Sequence, residues 1–360
     1  MTLFQLIQKP QQRGAELFAS QLSEELKNLG HTVYLISLFE GSYDLPYSGP
    51  IIFLNRPISK RWYDIKGWKM LASLISLHQP DVIQCNAGDT LKWAVLSKTL
   101  FGWNSLIVAR NASTVSSYIT SNVTRKVNDY LYSKTAAIFS VSEHSKNDLV
   151  ALFPSTSDKT FVIPIGIDSR LIATVSLQGN SEINLVHVGG FTFEKNHLGL
   201  LSIFELFLKK QPKAVLHLLG DGPLRKEVEF QIAARGLGKS VYLYGWVARP
   251  YDYIAKADVL VLPSIIEGLP AVILEAMYCK TPVVAYNVGG ISEIVTPATG
   301  FLVNKGDEIA FVEALHNLLL HNSKAIIASA YEFVQKKFSN SIVAVRFEKE
   351  YQNLKKRDVI

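Results

Sequence analysis

Two glutamates eight positions apart, Glu267 and Glu275, are the side chains whose type and spacing most invite a chemical reading. Glu267 falls in the stretch 263–270, just after the apolar run 258–262. Glu275 falls in a helix-forming run between Ile273, Leu274, Ala276 and Met277, where a carboxylate needs a partner. Spaced in this way, the pair can accept charge-assisted hydrogen bonds from the hydroxyls of a sugar and of a ribose. Between them Gly268, Leu269, Pro270 and Ala271 read as a helix start. Pro270 is expected at the first helical position, and the N–H groups of Gly268, Leu269 and Ala271 would form an anion site. Upstream, Gly189 and Gly190 follow the strand expected at 183–187; glycines there let backbone approach a pyrophosphate, and Lys195 adds a point positive charge. Taken singly, a glycine pair after a strand is an ordinary turn and a loop glutamate a solvated charge. Their conjunction in one half of the chain carries the reading.

Such loops require strands that end together. Short apolar runs alternate with amphipathic segments throughout, the pattern of parallel strands joined by crossover helices. The first half reads as strands near 2–7, 33–38, 51–54, 82–85, 106–109 and 137–141, with helices at 14–29 and 61–78 among others. Polar stretches at 155–158 and 177–181 flank an extended piece and mark the expected hinge. A second series follows, with strands at 183–188, 214–219, 241–244, 258–262 and 282–286 and helices at 197–210, 223–236, 250–256 and 270–279. The expectation is two Rossmann-like α/β domains, 1–165 and 166–340, with parallel sheets facing a central cleft. A last helix, 341–360, would cross back to the first domain.

Composition narrows the function. Of 360 residues, 48% are hydrophobic and 19% charged, which suits a folded chain with large cores. Thirty-seven Lys and Arg against thirty-one Asp and Glu leave +6, without a run of five or six like charges, so nucleic-acid binding gains no support. A phosphate-bearing substrate, or peripheral contact with the anionic cytoplasmic face of a membrane, would use that surplus. Two cysteines, Cys85 and Cys279, make no disulfide framework and no metal spacing. The sequence lacks a signal-like start and any run of about eighteen apolar residues, so a cytoplasmic location is expected. The sequons at Asn111 and Asn122 are then incidental.

Glu267 and Glu275 match the Glu-x7-Glu signature of the retaining glycosyltransferases of family 4, which have the two-domain GT-B fold. Other segments resemble the family's in order: Gly14-Ala15-Glu16 its acceptor-side glycine loop, 163–168 its domain junction, 188–195 its phosphate loop, Gly220-Asp221-Gly222-Pro223 the turn after a strand, and Gly289-Gly290-Ile291-Ser292-Glu293 its second glycine loop. The resemblance implies a nucleotide-sugar donor, UDP- or GDP-linked, as co-substrate, with no cofactor or metal, and a saccharide or lipid-linked acceptor. Glu267 and Lys195 would be the catalytic residues. Gly189, Gly190, Lys195, Gly220, Gly222, Glu267, Gly268, Leu269, Pro270, Ala271 and Glu275 would bind the donor, the base lying near Gly220 and Tyr244-Gly245-Trp246.

Two departures stand out. The family usually has Arg where this chain has Gly190, which leaves Lys195 with more of the charge or Arg225 or Arg249 as a substitute. A histidine common near the reacting sugar is missing; His144 reads as a helix-start residue, and His187 and His217 as core histidines. Gly14, Glu16, Asn86, Asp89, Arg110 and Asn111 are the acceptor-side candidates, the last four because they follow buried strands. The implied function is sugar transfer to a hydroxyl with retention, in cell-surface polysaccharide or lipopolysaccharide assembly. A nucleotide-sugar 2-epimerase and a catalytically silent nucleotide-sugar-binding subunit are the alternatives.

Overall fold

Parallel strands and crossover helices alternate along the whole chain. The computed structural model describes residues 1–168, 175–179, 182–320 and 323–358. The first series is β1 (Thr2–Ile7), α1 (Gly14–Asn28), β2 (Thr32–Phe39), β3 (Ile51–Arg56), α2 (Ile65–His78), β4 (Val82–Cys85), α3 (Gly88–Phe101), β5 (Leu106–Asn111), α4 (Asn122–Ser133), β6 (Ala137–Ser140), α5 (Glu143–Leu152) and β7 (Thr160–Val162). These seven strands form one sheet in the order β3-β2-β1-β4-β5-β6-β7, every pair parallel. The second series is β8 (Ile183–Val188), α6 (His197–Leu208), β9 (Ala214–Leu219), α7 (Arg225–Ala234), β10 (Val241–Gly245), α8 (Pro250–Ile254), β11 (Val259–Leu262), α9 (Ala271–Tyr278), β12 (Val283–Tyr286), β13 (Phe301–Val303), α10 (Glu308–Leu320) and α11 (Lys324–Lys337), followed by α12 (Asn340–Asp358). Its six strands run β10-β9-β8-β11-β12-β13, again all parallel.

Contacts divide the chain into Met1–Asp168 with Ser339–Ile360, and Ser169–Phe338. In the first unit both sheet faces are covered. On β5, Ile107 and Ala109 pack with Trp68, Leu71, Trp93 and Leu149 of α2, α3 and α5. Val108 points the other way, into Phe18 and Leu22 of α1 and Phe347 and Tyr351 of α12, as the two-residue period of a strand requires. Tyr351 reaches into a buried polar group, its hydroxyl donating to Gln84 Oε1 at 2.5 Å and accepting from Gln5 Nε2 at 3.3 Å. In the second unit α6, α7 and α10 bury Phe204, Phe207, Val228, Phe311 and Leu315 against Leu185, Leu216, Val259 and Val284.

Two elements differ from the sequence expectation. The expected hinge stretch 155–158 belongs to a short 3-10 helix, Pro154–Lys159, that buries Thr156 and leads into β7, where the start of the expected extended piece pairs with β6 as a seventh strand. Of the second stretch, 180 and 181 lie outside the described residues. Helix α2 starts at Ile65 rather than near 61, because Asp64 caps it by accepting from Gly67 N at 2.9 Å.

Candidate functional site

All strands of the second sheet run the same way, so the loops after β8, β9, β10, β11 and β12 gather at one end of it. Their backbones are stitched together. Gly189 N donates to Leu219 O (3.0 Å), Phe191 N to Asp221 O (3.0 Å), Gly220 N to Gly245 O (2.8 Å), Ile265 N to Glu194 O (2.8 Å) and Gly290 N to Gly268 O (2.8 Å). The glycines make this possible. Gly220 sits at φ +128°, and a Cβ there would overlap the carbonyl of Gly189; Gly289, at φ +56°, would do the same to the carbonyl of Glu267.

Within this cluster Lys195 and Glu267 meet, Nζ to Oε1 at 2.6 Å, both largely buried. Asn196 fixes the turn beside Lys195: it adopts a left-handed conformation (φ +54°), accepts from Gly199 N at 3.3 Å to cap α6, and donates from Nδ2 to Pro263 O at 3.1 Å. The two loops are thus held at both neighbours of the ion pair. Below them lie His187 and His197, their ring centroids 4.8 Å apart. Burial pushes His187 down to about 4 and His197 to about 2, so both are neutral and add no charge beside Lys195. His217 is internal too, bonded to Tyr244 Oη and Asn184 Oδ1 at 3.0 Å each.

Glu275 lies on α9 and has no side-chain hydrogen-bond partner among the described residues. Desolvation pushes its carboxyl up to about 7 from 4.5, although the residue keeps some exposure and is crowded rather than sealed. The partner the sequence demands is not supplied by the described protein. Pro270 occupies the N-cap of α9 (φ −75°, ψ 117°) rather than its first helical position, a correction of one residue that moves the helix start to Ala271. Leu269 is buried. A Cβ at Gly190 would sit in ordinary contact with Asp221 O at 3.6 Å and Thr192 Cγ2 at 3.7 Å, so the backbone there tolerates a side chain although none is present. Of the two substitutes, Arg225 lies against Gly245 and pairs with Asp221 (3.0 Å) and Glu229 (2.7 Å), while Arg249 pairs with Asp252 at 3.1 Å. Gly222 abuts the backbone of Phe191, and Trp246 is exposed. Among the described residues no group of three or more His, Cys, Asp or Glu could hold a metal ion.

In the first unit a polar string runs along the carboxyl ends of β1 and β4. Glu16, buried in the first turn of α1 behind the exposed Gly14, accepts from Gln11 Nε2 at 3.0 Å, while its Oε2 has no partner. Burial raises its pKa, opposed by the Gln11 hydrogen bond. Gln11 reaches Gln8 at 3.5 Å, Gln8 donates to Asp89 at 2.6 Å, and Asp89 also takes Lys92 (3.0 Å) and Arg61 (3.2 Å).

Residues 12–171 match the family described as Glycosyltransferase Family 4, and residues 172–333 the one described as Glycosyl transferases group 1. The chain is a family 4 glycosyltransferase. It is 26% identical over 318 residues to an uncharacterized glycosyltransferase of Methanocaldococcus jannaschii, covering 78% of each chain. It is 23% identical to the amylovoran biosynthesis glycosyltransferase AmsD of Erwinia amylovora, over 85% of this chain and 86% of that one. A match to a second M. jannaschii glycosyltransferase, 25% identical over 47% of this chain, spans only 44% of that relative's length. Among solved structures the Anabaena protein HepE, crystallised with UDP and glucose, superposes with a TM-score of 0.83 at 19% identity, covering 98% of this chain and 100% of that one, which identifies the GT-B fold.

The remaining acceptor-side candidates of this glycosyltransferase are committed elsewhere. Asn86 donates to Gln5 Oε1 (3.0 Å) and Leu6 O (3.1 Å) and accepts from Gln84 (2.8 Å), which uses both of its donors and three of its four possible bonds at the end of β4. Arg110 shares the face of Val108, so its guanidinium is buried between the Phe18 and Phe347 rings (4.9 and 5.1 Å) and donates to Ile163 O at 2.6 Å. Desolvation pulls it down to about 9. Asn111, on the opposite face, donates to Ser140 Oγ and Ser145 O. A strand-end position was read as exposure to ligand, whereas strand parity decides the direction. His144 lies in the first turn of α5 and is exposed. Gln8, Gln11, Arg61 and Lys92 were missed; the polar run 8–13 after Ile7 hints at the first two, and nothing in the sequence marks the others.

Proposed function

We propose that the glycosyltransferase transfers a sugar from a nucleoside diphosphate sugar to an acceptor hydroxyl with retention and without a metal ion. One observation carries the reading: Lys195 and Glu267 meet at 2.6 Å on loops that are stitched at the carboxyl ends of their strands, with the unpartnered Glu275 on the helix that follows. Lys195 neutralises charge on the diphosphate as the glycosidic carbon–oxygen bond breaks and its electron pair passes to the leaving phosphate. The acceptor oxygen bonds to the anomeric carbon from the same face, and its proton passes to that phosphate. Glu267 holds sugar hydroxyls and, by its ion pair, the Lys195 ammonium; it is not a covalent nucleophile. Glu275 accepts from ribose hydroxyls. Crystallised relatives of the fold hold UDP, which supports a uridine donor, and AmsD is named for a polysaccharide pathway, which supports cell-surface polysaccharide assembly. A lipid-linked acceptor would bring the enzyme to an anionic membrane face.

The test is Lys195→Ala. Turnover should fall by about a hundredfold, more than nucleotide affinity falls, because the negative charge grows only as the bond breaks. Activity of the unaltered enzyme should survive excess chelator, and proton NMR should show the donor's anomeric configuration kept. Near-normal kinetics of Lys195→Ala, loss of activity restored by Mg²⁺, or an inverted product would each overturn the reading.

A further inference from the structure

Between β3 and α2 the chain turns outward through Pro57-Ile58-Ser59-Lys60-Arg61-Trp62-Tyr63. Four large apolar side chains there face solvent: Trp62 is 68% exposed, Tyr63 66%, Ile58 48% and Ile65 46%. Such exposure ordinarily accompanies a loose loop, but this one is pinned. Arg61 O accepts from Trp93 Nε1 at 3.2 Å, Asp64 is buried as the cap of α2 and held by Arg56 at 2.8 Å, and the Tyr63 ring leans edge-on against the buried Trp68 at 5.6 Å. Lys92 Nζ stands 3.8 Å from the centre of the Trp62 ring. The aromatic rings are therefore presented on a fixed backbone.

Charge is equally one-sided. From 51 to 69 the chain has five basic residues, Arg56, Lys60, Arg61, Lys66 and Lys69, and one acid, Asp64, which is buried against Arg56. Lys60, Lys66 and Lys69 are exposed. The basic end of α12, Lys355-Lys356-Arg357, has a similar density of charge but, among the described residues, no large exposed apolar side chain beside it. Amphipathic rings with a lysine fringe are the combination that settles at the boundary between headgroups and acyl chains, the rings entering and the ammonium groups meeting lipid phosphates.

We propose that the surface 57–69 docks on an anionic phospholipid bilayer. The surface adjoins the polar string of the first unit, since Arg61 of the docking loop also holds Asp89. For a lipid-linked acceptor, the bilayer would then meet the enzyme at the loop that positions an acceptor-side carboxylate.

The experiment is sedimentation of the full chain with vesicles of phosphatidylcholine alone and of phosphatidylcholine and phosphatidylglycerol in equal parts. It measures no activity, and UDP binding measured separately keeps its outcome distinct from that of the donor reading. Binding is expected only with phosphatidylglycerol and should weaken as salt rises. W62S/Y63S should lower partition by about tenfold or more. K60Q/K66Q/K69Q should lower it by about a hundredfold, near fivefold for each charge, while K356Q/R357Q changes it by about twofold or less. Thermal melts should show all these variants folded, since the altered side chains are exposed. Absence of binding to phosphatidylglycerol vesicles, binding untouched by W62S/Y63S, or equal loss in K356Q/R357Q would overturn the proposal. Self-association abolished by W62S/Y63S without vesicle binding would also overturn it, assigning the face to a second copy.

Discussion

In the second unit the loops around Lys195 and Glu267 are joined backbone to backbone, with glycines where chains approach too closely for a Cβ. In the first unit backbone bonds also join strand ends, Phe39 N to Gln8 O at 2.9 Å and Asn86 N to Leu6 O at 3.2 Å, but a string of side chains is added to them, from Glu16 through Gln11 and Gln8 to Asp89, Lys92 and Arg61. The difference teaches how each site tolerates change. A backbone-built site depends on a few glycines and leaves its side chains available to a ligand. A side-chain-built site spends most of its polar groups on itself, as Asn86 and Asn111 do.

The comparison can be broken at glycine. Gly220→Val should cost about 2 kcal/mol or more, because φ +128° is strained for a branched residue and the side chain meets Gly189, and UDP binding should be lost with it. Gly14→Ala in the first unit, in open space at a helix start, should change stability by about 0.5 kcal/mol or less. Denaturant unfolding with UDP titration checks both. Similar costs at the two positions would remove the contrast.

A second pair sharpens it within the first unit. Asn86→Ala should destabilise by about 1–3 kcal/mol, since Gln5 and Gln84 lose buried partners, without moving either substrate's KM. Asp89→Asn should raise the acceptor KM about tenfold and leave UDP affinity alone. Steady-state kinetics beside melting curves decides whether the string is a site or a brace.

The smallest expected effect is in pH. Glu275 has a folded-state pKa raised to about 7 from 4.5, so the unliganded fold is favoured at low pH and loses that contribution as pH rises through about 7. The ionised form accepts ribose hydroxyls more strongly than the protonated one, so UDP affinity should rise by up to about tenfold from pH 6 to pH 8. Comparison with Glu275→Gln, in which only that difference disappears, isolates Glu275 from titration of the nucleotide.

The same contrast explains what was legible in the sequence. Strands β1 to β6 and β8 to β12 could be read from short apolar runs, and Lys195 and Glu267 from spacing, because glycine and proline punctuation records backbone geometry directly. Strand β7 was legible only as an extended piece and not as a member of the sheet, and it and β13 are only three residues long. Arg110 was misjudged for a different reason. It continues the parity of Val108 into the α1 and α12 layer, and α12 lies far along the chain, so nothing near Arg110 in sequence announces the Phe347 ring. Gln8, Gln11 and Lys92 are unremarkable residue types whose meaning comes only from meeting one another.

Hydrogen exchange of the full chain with and without UDP tests the central claim most directly, because it reads both units at once. UDP should slow exchange at 189–196, 220–224, 263–271 and 287–293, and leave 8–16 and 86–92 as they were. Protection confined to 8–16 and 86–92, with the four loops of the second unit unchanged, would contradict the assignment of the nucleotide to the Lys195 and Glu267 cluster.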